Sequence, residues 1–384
     1  MTEQVELFVE ILAKKGREAE LREAVLELAG ETHAESPGPV RFDLGEDPAD
    51  ARKFSGHEIW ASQADLDRHA ELVHTRRFLE RARQLVEDPE QVLRVTRWAP
   101  MEPPAAAPAG FRHQYAHVRG TQLHYVRGGS NDPVVLLHGF PDTWYAWREV
   151  MTRLALDYTV IAVDLRGLGD SARPGEGYDV PSSAADIAEL VNQLGFDSVF
   201  LAGQDWGGSI AFAYAAEHPT AVRKLAVLEA MPAGPWTESG GGRAAWFADF
   251  HAIPDLPELL VEGRESEYLG WFYEAFSATA GVPTPAATDE YVRTYRQSGA
   301  MTAAFELYRQ KEREIAHNSR FASTPLDVPV LAIGGDQVFG SAVAENLTSG
   351  AASAVESLVL EDCGHFLTEE RPDEIAAALR QFFR

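Results

Sequence analysis

The run Gly203-Gln204-Asp205-Trp206-Gly207-Gly208 places a carboxylate directly after the apolar stretch Ser198-Val199-Phe200-Leu201-Ala202. Small residues on both sides suit a sharp strand-to-helix turn, where backbone crowding excludes bulk and the central side chain is pushed into a cleft. A serine at such a turn attacks acyl carbons. A carboxylate attacks a saturated carbon and becomes an ester itself, so the group it displaces must be a halide or a strained oxygen. Asp205 is therefore expected to open an alkyl electrophile. The bland alternative is an acidic loop residue after a strand, and the motif alone does not separate the two.

Its neighbours do. Pro133-Val134-Val135-Leu136-Leu137 runs into His138-Gly139-Phe140-Pro141, a buried-strand pattern ending in a turn that can aim the Phe140 amide at a developing oxyanion. Trp206 would supply the second amide. Val328-Pro329-Val330-Leu331-Ala332-Ile333 ends at Gly334-Gly335-Asp336, and Leu358-Val359-Leu360 is followed by Glu361-Asp362-Cys363-Gly364-His365. Both lie at the carboxyl ends of predicted strands, where open α/β sheets place their ligands. An ester on Asp205 must be hydrolysed, which needs a neutral imidazole to take a proton from water and an acid to fix its tautomer. The order along the chain is Asp205, Asp336, His365.

The four motifs, His138 to Pro141, Asp164 to Ser171, Gly203 to Gly208 and Asp362 to Phe366, together resemble the epoxide hydrolase and dehalogenase branch of the α/β-hydrolase superfamily over residues 111–384. The resemblance implies Asp205 as nucleophile, His365 as base, Asp336 as orienting acid and no cofactor or metal. Some dehalogenases that this region is similar to take their acid from an earlier strand, where Glu229 stands in Val227-Leu228-Glu229-Ala230; Asp336 is preferred. Asp164 is expected to be structural.

Between Met231 and about Asn318 the strand pattern lapses into aromatic, helix-compatible sequence, read as a helical cap of residues 231–318. A cap excludes water and brings polar groups over the nucleophile. Its segment Gly299 to Arg309 resembles the epoxide hydrolase stretch that ends in tyrosine-arginine, which makes Tyr308 the acid for the epoxide oxygen. A phenol, with a pKa of about 10, is still protonated when needed. For a second donor the candidates are Trp246, Tyr268 and Tyr273, with Trp246 first by position. Phe140 stands where many haloalkane dehalogenases carry a halide-binding asparagine, and Trp206 where fluoroacetate-type enzymes carry an arginine. An epoxide hydrolase is therefore expected, with a dehalogenase of the same mechanism as the alternative.

The segment Ala99 to Gly110 is rich in proline and alanine and lacks periodicity, as a linker would. Before it, residues 1–98 alternate as strand, helix, strand, strand, helix, strand: Val5–Ala13, Arg17–Ala29, Val40–Leu44, Lys53–Ala61, one long helix Leu66–Val86, and Val92–Trp98. This is a ferredoxin-like α+β order. The stretch from His57 to His69, with His74, resembles the antibiotic-biosynthesis monooxygenase-type domain, which implies a homodimer closing a barrel from two sheets. Trp60, His69 and His74 would line a pocket if the domain is itself a cofactor-free oxygenase; otherwise it is a dimerisation module. Joined to an epoxide opener, it suggests a polycyclic natural product as substrate.

A formal charge of -25 over 384 residues repels nucleic acid and anionic membrane surfaces. No apolar run is long enough to span a bilayer, and the start Met1-Thr2-Glu3-Gln4 lacks the basic and apolar regions of a signal peptide, so a cytoplasmic enzyme is expected. The single cysteine, Cys363, excludes an internal disulfide and is read as a packed residue beside the base.

Overall fold

A computed structural model describes residues 4–34, 38–47, 50–88, 96–97, 103–232, 246–310, 313, 317 and 325–384. The chain divides into two units, Met1–Glu102 and Pro103–Arg384. The start of the linker and most of the strand Val92–Trp98 lie outside the described residues.

In the first unit, β1 (Val5–Leu12), α1 (Glu18–His33), β2 (Arg41–Asp47), β3 (Asp50–Trp60), α2 (Gln63–Glu71), α3 (Val73–Leu85) and β4 (Thr96–Arg97) follow one another. The antiparallel sheet has the order β2-β3-β1-β4. Leu7, Ile11, Phe54 and Trp60 are buried beneath the helices, as strand alternation requires. The single helix expected over Leu66–Val86 is two: Leu72 takes an extended conformation (φ -69°, ψ 149°) and breaks it. No proline or glycine marks that break, so periodicity alone ran through it.

The second unit is built on an eight-stranded sheet of order β12-β11-β10-β9-β7-β8-β6-β5. Its strands are β5 (Phe111–Val118), β6 (Thr121–Gly129), β7 (Pro133–Leu137), β8 (Thr159–Val163), β9 (Val199–Gln204), β10 (Val222–Leu228), β11 (Val330–Gly335) and β12 (Val355–Leu360). The central strands β7, β8 and β9 are buried along their whole length, which is why they read as unbroken apolar runs. Helices cover both faces, α4 (Arg148–Leu154), α5 (Val180–Gln193) and α6 (Trp206–Glu217) among them.

Between β10 and β11 the chain leaves the sheet for a helical insertion: α7 (Trp246–Ala252), α8 (Leu256–Val261), α9 (Glu265–Phe276), α10 (Pro285–Tyr295) and α11 (Ala300–Arg309). Among the described residues no helix is long and apolar enough to cross a membrane.

Candidate active site

Asp205 sits between β9 and α6 with φ 53° and ψ -125°, a left-handed backbone that costs a non-glycine residue roughly 1–3 kcal/mol. The fold holds it there by close approach. A Cβ on Gly203 would lie 2.1 Å from the Gly207 carbonyl oxygen, and one on Gly139 would lie 2.2 Å from Asp205 Oδ1. Glycine at these positions lets the β7 loop press against the carboxylate.

That contact sorts the two carboxylate oxygens. The Phe140 amide donates to Asp205 Oδ1 at 2.9 Å, and the Trp206 amide also bonds the carboxylate. Oδ2 is left 3.6 Å from His365 Nε2. Burial raises the pKa of Asp205, with His365 and the two amides pulling it back down.

The acid behind His365 is Glu229. Its Oε2 lies 3.2 Å from His365 Nδ1, while its Oε1 accepts the Gly335 amide at 2.7 Å. Glu229 is fully buried, and burial raises its pKa against the pull of His365 and the Gly335 and Phe339 amides. Register explains the position: Leu228 pairs with Gln204 on one side and Ile333 on the other, so Glu229 and Asp205 emerge at the same level on adjacent strands. Asp336 therefore does not stand where the sequence reading put it. It lies three residues beyond Ile333, is exposed, and accepts the Cys363 amide at 3.1 Å. That amide holds its carboxyl below the usual range.

Burial alone would lower His365, but the hydrogen bond to Glu229 and the charges of Asp205 and Glu229 outweigh it and push the imidazole up to about 9. Cys363 is buried, and desolvation followed by the charge of Glu370 raises its thiol to about 12. It is an inert neighbour. Asp142, which sequence reasoning passed over, is buried with an Oδ1 that has no partner among the described residues. Burial, then the charge of Glu369, raises its carboxyl well above the normal range.

Above the carboxylate, Tyr308 of α11 is buried, its ring 5.3 Å from Trp206 and 5.8 Å from Phe140, both edge-on. Burial and the charge of Asp205 raise its phenol well above 10. Its close aromatic partner is His251 of α7, at 4.5 Å between ring centroids. His251 is fully buried; Nε2 meets the Tyr268 hydroxyl at 2.5 Å and Nδ1 has no hydrogen-bond partner among the described residues. Burial, with the charge of Arg309 adding to it, pushes this imidazole down to about 3. A neutral ring carries one N–H, which lies on the unpartnered Nδ1 when the Tyr268 hydroxyl donates to Nε2.

Sequence reasoning missed His251 and chose its helix-mate Trp246. Trp246 is 47 % exposed and packs edge-on against Trp271 at the surface, on the other side of a helix whose buried residues are Ala248 and His251. Phe247 and His251 (i, i+4) share a face, but spacing alone does not say which face of this short helix turns inward. Tyr268 lies behind His251, and Tyr273 donates to the Pro141 carbonyl at 2.9 Å, so its proton supports the loop.

His124, Asp164 and Asp170 offer atoms close enough to hold a metal ion. Asp164 already accepts the Trp144 and Asp170 amides and bonds His124, and Asp170 pairs with Arg293. The cluster's acceptors serve the fold.

In the first unit Trp60, His69 and His74 do come together, with centroids 4.5 Å apart for Trp60–His69 and 5.7 Å for His69–His74. Trp60 is fully buried and donates to Glu58 at 3.0 Å. A small cleft in this unit is lined by Val9, Ile11, Leu44, Phe54, Glu58 and Phe78 and by none of Trp60, His69 and His74, so the expected lining is not what the cleft shows; Glu58, bonded to Trp60, borders it. Burial raises the pKa of Glu58 against that indole bond.

Residues 132–372 match the alpha/beta hydrolase fold family, and residues 5–81 the antibiotic biosynthesis monooxygenase family. A soluble epoxide hydrolase of Corynebacterium sp. (strain C12) is 36 % identical over 71 % of this chain and 96 % of its own length. The solved structure of Cfl2 from Burkholderia cenocepacia is 38 % identical with a TM-score of 0.68, covering 72 % of this chain and 96 % of that one. That of the epoxide hydrolase CorEH is 35 % identical with a TM-score of 0.67, covering 71 % and 98 %. The chain belongs to the alpha/beta hydrolase fold family, with a monooxygenase-type unit in front.

Proposed function

We propose that this protein hydrolyses an epoxide to a vicinal diol through a covalent ester on Asp205. The observation that carries the reading is the division of the Asp205 carboxylate: Oδ1 is pinned by the Phe140 amide, and Oδ2 faces His365. Similarity to epoxide hydrolases supports the choice of electrophile.

Oδ2 attacks an epoxide carbon, the carbon–oxygen bond breaks, and its electron pair stays on the departing oxygen. That oxygen takes its proton from Tyr308 and a hydrogen bond from His251. Both are neutral donors aimed at a developing alkoxide. Water then attacks Asp205 Cγ while His365 Nε2 takes its proton. The oxyanion forms on the oxygen already between the Phe140 and Trp206 amides, so no donor has to move. Collapse expels the diol oxygen, protonated by His365, and leaves an Asp205 carboxylic acid; its proton, passed through solvent to the Tyr308 phenolate, restores both groups.

The electrostatics time the second step. With Asp205 ionised, His365 is held at about 9 and is largely protonated. Esterification removes one of the two negative charges that raise it, so its pKa falls and the base is freed once the ester exists.

With styrene oxide as probe, His365→Gln should accumulate enzyme heavier by one substrate mass, and Asp205→Asn should not. Absence of the adduct in His365→Gln, or halide release from a chloroalkane or fluoroacetate by a parent protein that forms no diol from styrene oxide, would overturn the reading.

The first unit is read as a dimerisation module, supported by Phe8, 45 % exposed on the sheet face away from the helices beside His57. Light scattering should give a dimer that Phe8→Glu converts to monomer; a monomeric parent refutes it. The fused monooxygenase-type unit favours a polycyclic natural product as substrate, and a cytoplasmic location suits such a pathway; a screen showing preference for small aliphatic epoxides would remove that substrate class.

A further inference from the structure

One helix touches each working part of the site. Tyr268 of α9 meets His251, Tyr273 donates to the Pro141 carbonyl beside Phe140, and the carbonyl of its last residue, Phe276, accepts the backbone amide of His365 at 2.8 Å. The helix therefore runs from the donor side of the reaction, past the amide that binds the oxyanion, to the base.

Its carboxyl end is fastened by a side chain outside the catalytic set. Glu370 is buried; Oε2 accepts the amides of Ala278 and Thr279 at 2.9 and 3.0 Å, and Oε1 accepts that of Gly364 at 3.0 Å. One carboxylate thus ties the segment after α9 to the residue before His365. The approach is too close for any side chain at position 364, where a Cβ would lie 2.2 Å from the Phe276 carbonyl oxygen. Hydrogen bonds to an ionised acceptor are roughly twice as strong as neutral ones. The neighbouring Arg371 adds a bond to Thr279 Oγ1 at 3.3 Å.

We infer that Glu370 is a positioning residue, a three-amide staple through which α9 sets the place of His365 relative to Asp205 and the donors of the insertion. This rests on the functional reading above. Since His365 acts as base only on the ester, loosening the staple slows hydrolysis more than alkylation. A base misplaced by about 1 Å can lose on the order of 100-fold in rate.

The test is Glu370→Gln in the full chain, which keeps the shape but turns an NH2 group toward at least one backbone N–H. Single-turnover kinetics with styrene oxide should show ester hydrolysis slowed about tenfold or more and ester formation less than about threefold, with alkyl-enzyme visible by intact mass. Glu370→Asp, which keeps the charge, should recover part of the hydrolysis rate. Equal slowing of both steps alongside a lowered Tm, or no slowing of either, overturns the inference. Should the parent form no ester, the functional reading fails separately. The staple is then decided by the NMR titration of His365, assigned by loss of its signal in His365→Gln. A midpoint unmoved by Glu370→Gln refutes it; a displaced midpoint supports it.

Discussion

The two halves of the site are held in different ways. On the sheet side, Asp205, Glu229 and His365 stand at strand ends, and the groups around them are backbone amides: Phe140, Trp206, Gly335 and the amide of His365 itself. On the insertion side, Tyr308, His251 and Tyr268 are placed by ring contacts with one another and with Phe140, Phe305 and Phe272. Backbone amides are fixed by the register of the sheet and survive side-chain change. Aromatic packing depends on every neighbour's shape. The proposed covalent chemistry would sit on the half fixed by backbone, and the leaving group would be met by the half set by side-chain packing.

The largest effect expected from this contrast separates two acids on the sheet side. Glu229→Gln keeps a hydrogen bond to His365 but no longer stabilises the imidazolium, so ester hydrolysis should fall on the order of 100-fold or more. Asp336→Asn should leave it within about threefold, because Asp336 bonds the Cys363 amide and not His365. The reverse ranking in single-turnover assays would return the role to Asp336.

Smaller losses belong to the insertion. Tyr308→Phe and His251→Phe should each slow ester formation by about 10- to 100-fold while leaving hydrolysis of a preformed ester little changed. Their double variant should lose less than the product of the two, since the donors serve one oxygen. Strict multiplicativity in a double-mutant cycle would mean that they act apart. Trp246→Ala, at the exposed face, should change neither step by more than about twofold.

The gentlest probe is pH. Ester hydrolysis should rise with pH as His365 loses its proton, with a midpoint below the value near 9 that holds while Asp205 is charged. Ester formation should fall at low pH as Asp205, its pKa raised by burial, takes up a proton. The insertion should add no inflection between, because His251 titrates near 3 and Tyr308 well above 10. A further bell-limb near pH 6 to 7 in ester formation would show that His251 changes charge in the working range.

Much of the sheet side was legible in the residues. Unbroken apolar runs such as Val134 to Leu137 signal strands buried on both faces, and small residues around Asp205 signal a crowded turn. Glu229 against Asp336 was not legible. Both follow an apolar strand, and only the pairing of Leu228 with Gln204 and Ile333 puts Glu229 level with Asp205. The break at Leu72 escaped for a similar reason, as both flanking segments keep helical spacing and the interruption needs no special residue.

By itself the sequence placed Asp205, His365 and the Phe140 and Trp206 amides at strand-end turns, because such a turn is a local event written in neighbouring residues. Tertiary structure alone decided which acid faces His365, which face of α7 looks inward, and that His251 and not Trp246 meets Tyr308. Those choices depend on register between strands and on packing between helices far apart in the chain, and no short stretch of residues encodes either.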